Sequence, residues 1–296
     1  MDNDDIPVGR VLSRREALKL FGGAGLAIFA SGALSKVVLA QDATATATDV
    51  LVTDCVVRPE MTEGPYFVDA LLNRMDIRPD PVLDIVKEGV PLKLKLQVYD
   101  VTDATCNPLE GVQVDIWQCD AVGTYSGVED AGFETLDESW LRGYQVTDEF
   151  GVVEFLTIYP GWYSGRTVHV HVKIRTDPES EDGYEFTSQF YFNDDLSDMI
   201  HAMQPYSEKA GARDTYNDTD MHYNGETGDQ MLLTLEEWTE EETGESGYSA
   251  VFSIGLDLSD EEVGASDSED MGAAGGGTPP QGGPGGPPAQ STETSD

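Results

Sequence analysis

The clearest order in the chain is a period of two. Leu92, Leu94, Leu96 and Val98 alternate with Lys93, Lys95, Gln97 and Tyr99, which predicts a strand with one face in a core. After a turn-rich stretch, Val112, Val114 and Ile116 alternate with Gln113, Asp115 and Trp117. The two runs read as an antiparallel pair. Further strands are predicted over 152–158, behind the turn Asp148-Glu149-Phe150-Gly151, and over 168–174. In the latter, Val168, Val170, Val172 and Ile174 alternate with His169, His171, Lys173 and Arg175. The 186–192 run is rich in aromatics, and Tyr248, Ala250, Phe252, Ile254, Leu256 and Leu258 share a face near the end. Many short strands parted by turns predict an all-β fold, a β-sandwich of mostly antiparallel strands with long active-site loops and little helix. The exception is 194–224, read as a short helix and a long loop. A loop of that length in a compact domain often carries function.

These elements fill residues 51–258, enough for one domain with a sizeable core. Before them, Ser13-Arg14-Arg15-Glu16-Ala17-Leu18-Lys19 leads into an apolar run from Leu20 to Leu34, and Val38-Leu39-Ala40 offers a cleavage site. Residues 1–40 therefore read as a twin-arginine export signal, and the protein is expected outside the cell or at its surface. The apolar run is shorter than the ~20 residues that span a bilayer, so membrane contact is confined to an uncleaved signal. Residues 41–50 form a polar Ala/Thr-rich linker. Residues 259–296 turn acidic and then Gly/Pro-rich, a composition that offers little apolar surface to offset chain entropy and predicts a disordered tail.

Charge narrows the partners. The chain has 17 basic against 56 acidic residues, a net charge of −39. Such a surface repels nucleic acid and anionic membranes. The acidity is spread along the chain, which marks it as a surface property adapted to high salt, where ions screen self-repulsion. The three cysteines, Cys55, Cys106 and Cys119, lack zinc-site spacing. In an exported protein two of them are expected to pair. The inferred hairpin puts Cys106 and Cys119 near opposite ends of one strand, so Cys55–Cys119 is the preferred pairing.

Only four histidines occur, and two of them sit at His169-Val170-His171. On a strand, i and i+2 face the same way, so both imidazoles project to one side, a common way to hold a transition metal. Upstream, Tyr159-Pro160-Gly161-Trp162-Tyr163-Ser164-Gly165-Arg166 places Tyr163 six residues before His169 across a Pro/Gly turn. Earlier still, Asp120-Ala121-Val122-Gly123-Thr124-Tyr125 ends a strand in a glycine turn that presents Tyr125. A phenolate is a hard anionic oxygen donor. Two phenolates with two neutral imidazoles favour ferric iron over zinc or copper, and the metal in turn lowers the phenol pKa from about 10. His201 and His222 lie in the long loop and are read as non-ligands. Arg142 is expected to tie loops together, Tyr66 to line the pocket entrance, Trp117 and Trp162 to form core or pocket walls, and Arg213 to anchor the long loop through Asp214 or Asp218.

These motifs resemble those of the intradiol ring-cleavage dioxygenases, the catechol, hydroxyquinol and protocatechuate dioxygenases, and most of all their exported single-domain branch. The resemblance runs from Thr62-Glu63-Gly64-Pro65-Tyr66 to the last strand. It includes the Asp115–Gly127 segment, Leu141–Phe155, Thr157–Val172 and Ser188–Phe192. It implies non-haem Fe3+ held by Tyr125, Tyr163, His169 and His171, with Tyr163 and His171 matching the axial ligands. It implies a small aromatic diol and O2 as substrates, with Tyr163 helping to accept a proton. It also implies that Arg166 stabilises the electron-rich ring and that Gln189 lies in the pocket. Two features differ from the best-known members. The tyrosine-to-histidine interval is shorter than in the protocatechuate branch, and no helical dimerisation domain precedes Gly64-Pro65-Tyr66, so the oligomeric state stays open. The competing reading is a non-catalytic exported β-sandwich binding or surface protein that keeps the metal motif.

Overall fold

A computed structural model describes residues 55–102, 105–180, 183–223 and 225–259. The signal over 1–40, the linker over 41–50 and the tail over 259–296, Ser259 excepted, lie outside the described residues.

Two sheets face each other. In the first, β1 (Pro91–Asp100) has β11 (Ser246–Leu256) on one side, running parallel, and β10 (Glu236–Thr239) extends the sheet beyond β11. On its other side β1 pairs antiparallel with β7 (Val152–Ile158) and, at its end, with the short β2 (Asn107–Pro108). The second sheet runs in the order β6 (Arg142–Val146), β3 (Gln113–Trp117), β8 (His169–Arg175) and β9 (Glu185–Tyr191), all antiparallel. A small hairpin joins β4 (Glu129–Asp130) to β5 (Phe133–Glu134). The single α-helix of the described residues, α1 (Asp194–His201), is capped by Asn193, whose side chain accepts the Leu196 amide, as an N-cap residue should.

The alternation read from the sequence builds this sandwich. Leu92, Leu94, Leu96 and Val98 of β1, with Phe252 and Ile254 of β11, meet Val114, Ile116, Val170, Val172, Ile174 and Phe190 of the opposite sheet in one buried core. The Phe190 and Phe252 rings touch across it at 5.1 Å.

The expected pairing of the 92–98 and 112–116 runs is overturned. β1 and β3 lie in different sheets, because each alternating run can bury its apolar face from either side of the core and periodicity does not name a partner. The cysteine expectation falls with it. Cys55 bonds to Cys106, with Cα atoms 6.0 Å apart, and Cys119 is a buried free thiol. Cys106 sits beside β2 at the end of β1, where the chain enters the domain, and Cys119 sits behind β3 in the other sheet.

The outer face of the second sheet is what positions the site. His169, His171, Lys173 and Arg175 all point to that face, yet all are buried. The arm over 57–72 covers them. The Met61 amide donates to Thr187 O, Gln189 Nε2 donates to Thr62 O, Lys173 pairs with Glu63 at 2.6 Å, and Phe67 packs edge-on against Trp117.

Candidate metal centre

His169 and His171 open β8, flanked by partners in register. His171 lies between Trp117 of β3 and Gln189 of β9, and His169 lies opposite Tyr191. The Trp117 and His171 rings stack at 4.7 Å, nearly parallel. His169 Nδ1–H donates to the carbonyl of Thr167 at 2.6 Å, which leaves its Nε2 with a lone pair. That Nε2 lies 3.2 Å from Nε2 of His171. Tyr163 Oη stands 3.1 Å and Tyr125 Oη 3.4 Å from the same atom. Two ring nitrogens and two phenol oxygens, from three separate segments, thus converge on one point.

The two tyrosines arrive on turns that interlock. Asp120 builds the first: its carboxylate accepts the amides of Val122 and Thr124, and its carbonyl accepts that of Gly123. Gly123 has φ +84°, and a Cβ there would lie 2.1 Å from the carbonyl oxygen of Trp162. Gly161, in the second turn, donates its amide to Asp120 O, and a Cβ there would meet that oxygen at 2.3 Å. The turns touch backbone to backbone, which only glycine permits.

Burial sets the charge states. Desolvation holds His169 and His171 well below the ordinary histidine pKa, and Arg166 adds to this for both. Desolvation pushes Tyr163 up to about 12, against the pull of Arg166, and raises Tyr125 well above 10. The imidazoles are therefore neutral, as metal ligands must be, and the phenols need a cation to ionise. Nδ1 of His171 is buried without a hydrogen-bond partner, and its Nε2 faces that of His169 at 3.2 Å, two ring nitrogens placed to share one cation. Among the described residues, no group of three or more His, Cys, Asp or Glu side chains is gathered for a metal. The donor set suits a hard trivalent ion.

Beside the cluster, Arg166 Nε forms an ion pair with Asp220 at 2.9 Å, and its Nη2 donates to Gln189 Oε1. Burial opposes the guanidinium charge, but Tyr163 and Asp220 outweigh it and raise the pKa. Tyr66 stacks on Tyr125 at 4.6 Å, meets Tyr163 edge-on, and donates its hydroxyl to Asp130 on the β4–β5 hairpin. Arg142 is buried and held by uncharged oxygens alone: Ser126 O and Oγ, and Tyr66 O. It brackets the residue after Tyr125. Trp162 joins the core near the Tyr163 turn. His201 donates Nε2–H to Pro160 O. Tyr216 lies under the Arg213 guanidinium.

All six site residues predicted from sequence come together: Tyr125, Tyr163, His169 and His171 at the cluster, with Arg166 and Gln189 at its edge. One anchor differs from expectation. Arg213 pairs with Asp194 and Asp198 of α1, one helical turn apart on a single face, and neither Asp214 nor Asp218 pairs with it. The sequence reading missed Asp220 and Asp214. Asp220 binds Arg166 and the Thr167 amide, and Asp214 binds Ser164 Oγ and the Gly165 amide. For Asp220 the available signal was Arg166 itself, since a buried guanidinium is stabilised by a paired carboxylate; Asp214, which holds Ser164 and Gly165, had no such signal.

Residues 62–232 match the family described as Dioxygenase. The chain belongs to the intradiol ring-cleavage dioxygenases. Among curated members of the family, the protocatechuate 3,4-dioxygenase beta chain of Burkholderia cepacia is 32% identical over 125 residues, 39% of this chain and 52% of that one. The chlorocatechol 1,2-dioxygenase of Pseudomonas putida is 28% identical over 179 residues, 48% of this chain and 58% of that one. The chain thus spans a little over half the length of these relatives. An intradiol ring-cleavage dioxygenase from Tetranychus urticae has a similar solved structure, with 28% identity, a TM-score of 0.55, and coverage of 69% of this chain and 95% of that one.

Proposed function

We propose that this intradiol dioxygenase family member is a ferric enzyme that opens a catechol-type ring between its two hydroxyls, adding both atoms of O2. The observation that carries the reading is the convergence of Tyr125 Oη, Tyr163 Oη and His171 Nε2 at 3.1–3.4 Å from His169 Nε2, with Arg166 alongside. Bound Fe3+ would supply Lewis acidity and redox chemistry that let a coordinated diol react with oxygen.

The remaining work falls to the chain. Tyr163, on a Pro/Gly turn and ionised when the metal is held, would take a proton from one diol hydroxyl at its Oη. Arg166 keeps a fixed positive charge beside the ring as electron density builds there, and its pairing with Asp220 and Gln189 fixes where that charge sits. Tyr66, stacked on Tyr125 and tied to Asp130 of the β4–β5 hairpin, covers one side of the cluster. The protocatechuate and chlorocatechol named in the relatives' titles, both catechol-type diols, support the substrate class. The twin-arginine pattern supports export to the outside of the cell. Replacing Arg14 and Arg15 by lysine should then retain the protein inside.

Colour and oxygen uptake test the proposal together. The ferric protein should absorb in the visible through tyrosinate-to-iron charge transfer and consume about one O2 per diol from a panel of catechols, as the two-oxygen chemistry requires. A coloured protein that takes up no oxygen with any diol would favour the non-catalytic binding protein. A colourless ferric protein would overturn the ligand set.

A further inference from the structure

The long segment after β9 runs alongside the Tyr163 turn in nearly the same order. Ser197 Oγ meets Tyr159 Oη at 2.7 Å, His201 donates to Pro160 O, and Tyr206 donates to Tyr159 O. Lys209 follows at Trp162. Asp214 holds Ser164 and Gly165, Asn217 accepts from Thr167 Oγ1, and Asp220 holds Arg166 and Thr167. Residues 197–220 thus splint residues 159–167.

Lys209 is the point where this splint also reaches the other tyrosine turn. Its Nζ donates to the carbonyl of Val122 at 2.8 Å and sits 4.7 Å from the centre of the Trp162 ring. Val122 lies three residues before Tyr125, and Trp162 is next to Tyr163. Among the described residues no carboxylate stands within 4.0 Å of Nζ, whereas the other lysines described, Lys87, Lys93, Lys95 and Lys173, all have one. In a chain with 56 acidic residues, the one described lysine without an acid is placed on a backbone carbonyl and an aromatic face, joining two turns that already interlock through Gly123 and Gly161. A charge-assisted hydrogen bond and a cation–π contact are both stronger than neutral equivalents.

We infer that Lys209 is a positioning residue that cross-ties the Tyr125 and Tyr163 turns and so sets how the two phenol oxygens meet the metal. The inference rests on the proposed ferric site, and the test separates the two. Lys209→Met keeps the stem and loses both contacts; Lys209→Arg can restore them; Lys95→Met, which breaks a half-buried lysine's pair with Glu154 on the other sheet, is the control. In metal-free protein, amide hydrogen exchange at Gly123 and Thr124 should speed up at least about tenfold in Lys209→Met and stay at the parent rate in Lys209→Arg and Lys95→Met. In ferric protein, Lys209→Met should shift the charge-transfer band and weaken ferric affinity by about 10–100-fold, as loss of a ligand-orienting group does. The arginine variant should return both to the parent values. Parent-like exchange and an unmoved band in Lys209→Met would overturn the tie. If Lys209→Met does not fold, Lys209→Gln, which loses the charge and the cation–π contact with Trp162, takes its place: faster exchange and a shifted band are expected, and parent-like values in both would overturn the tie. A parent protein with no visible band would defeat the ferric reading, and the exchange experiment would still decide the tie.

Discussion

At the scale of residues, the convergence of the candidate ligands was legible because strand geometry and chemistry agree. His169 and His171 at i and i+2 must share a face, and scarce histidines in an apolar run have few other uses. Their braces were not legible. Asp220 lies 54 residues from Arg166, and no local spacing announces such a partner. The charge states give a prediction with a definite sign. The folded pKa values of His169 and His171 are depressed, so below the ordinary histidine value of about 6.5 the unfolded chain binds protons that the folded chain refuses. Metal-free protein should lose stability as pH falls below about 6.5, measured by denaturant titration across pH. Ferric binding must also displace the phenolic protons held by burial of Tyr125 and Tyr163. Calorimetry in buffers of different ionisation heat should count about two protons released. Release of none would mean that the phenols do not bind.

At the scale of elements, hydrophobic alternation correctly gave most strands and the sandwich class, because burying one face of a strand is a local requirement. It misassigned the partner of β1, because partner choice is settled by which connections the whole chain can make. The interlocked turns make a sharper case. Gly123→Ala forces a Cβ against the Trp162 carbonyl at positive φ, and Gly161→Ala forces one against Asp120 O. Each should cost about 2–3 kcal/mol in denaturant unfolding. Gly132→Ala, where a Cβ meets nothing within 4 Å, should change stability by less than about 0.5 kcal/mol. Equal effects at all three would mean that the turns do not touch.

At the scale of the molecule, most cations among the described residues are spent on named acids: Arg78 on Asp76, Lys87 on Asp120, Arg175 on Asp69 and Asp115, Arg213 on Asp194 and Asp198. The excess acid is left to repel itself. Raising KCl from about 0.1 M to about 2 M cuts the screening length from ~10 Å to below ~3 Å, and should raise the thermal midpoint of metal-free protein; a midpoint that falls would contradict the reading of the charge as salt adaptation. The parallel β1–β11 pair has a consequence for the order of synthesis. Among the described residues, the first long strand made waits for the last, at residues 246–256, and the candidate ligands at 125–171 are made before their splint at 197–220. The sandwich therefore closes only once residue 256 has been made, and on the proposed reading a metal would find a completed cage only after that point.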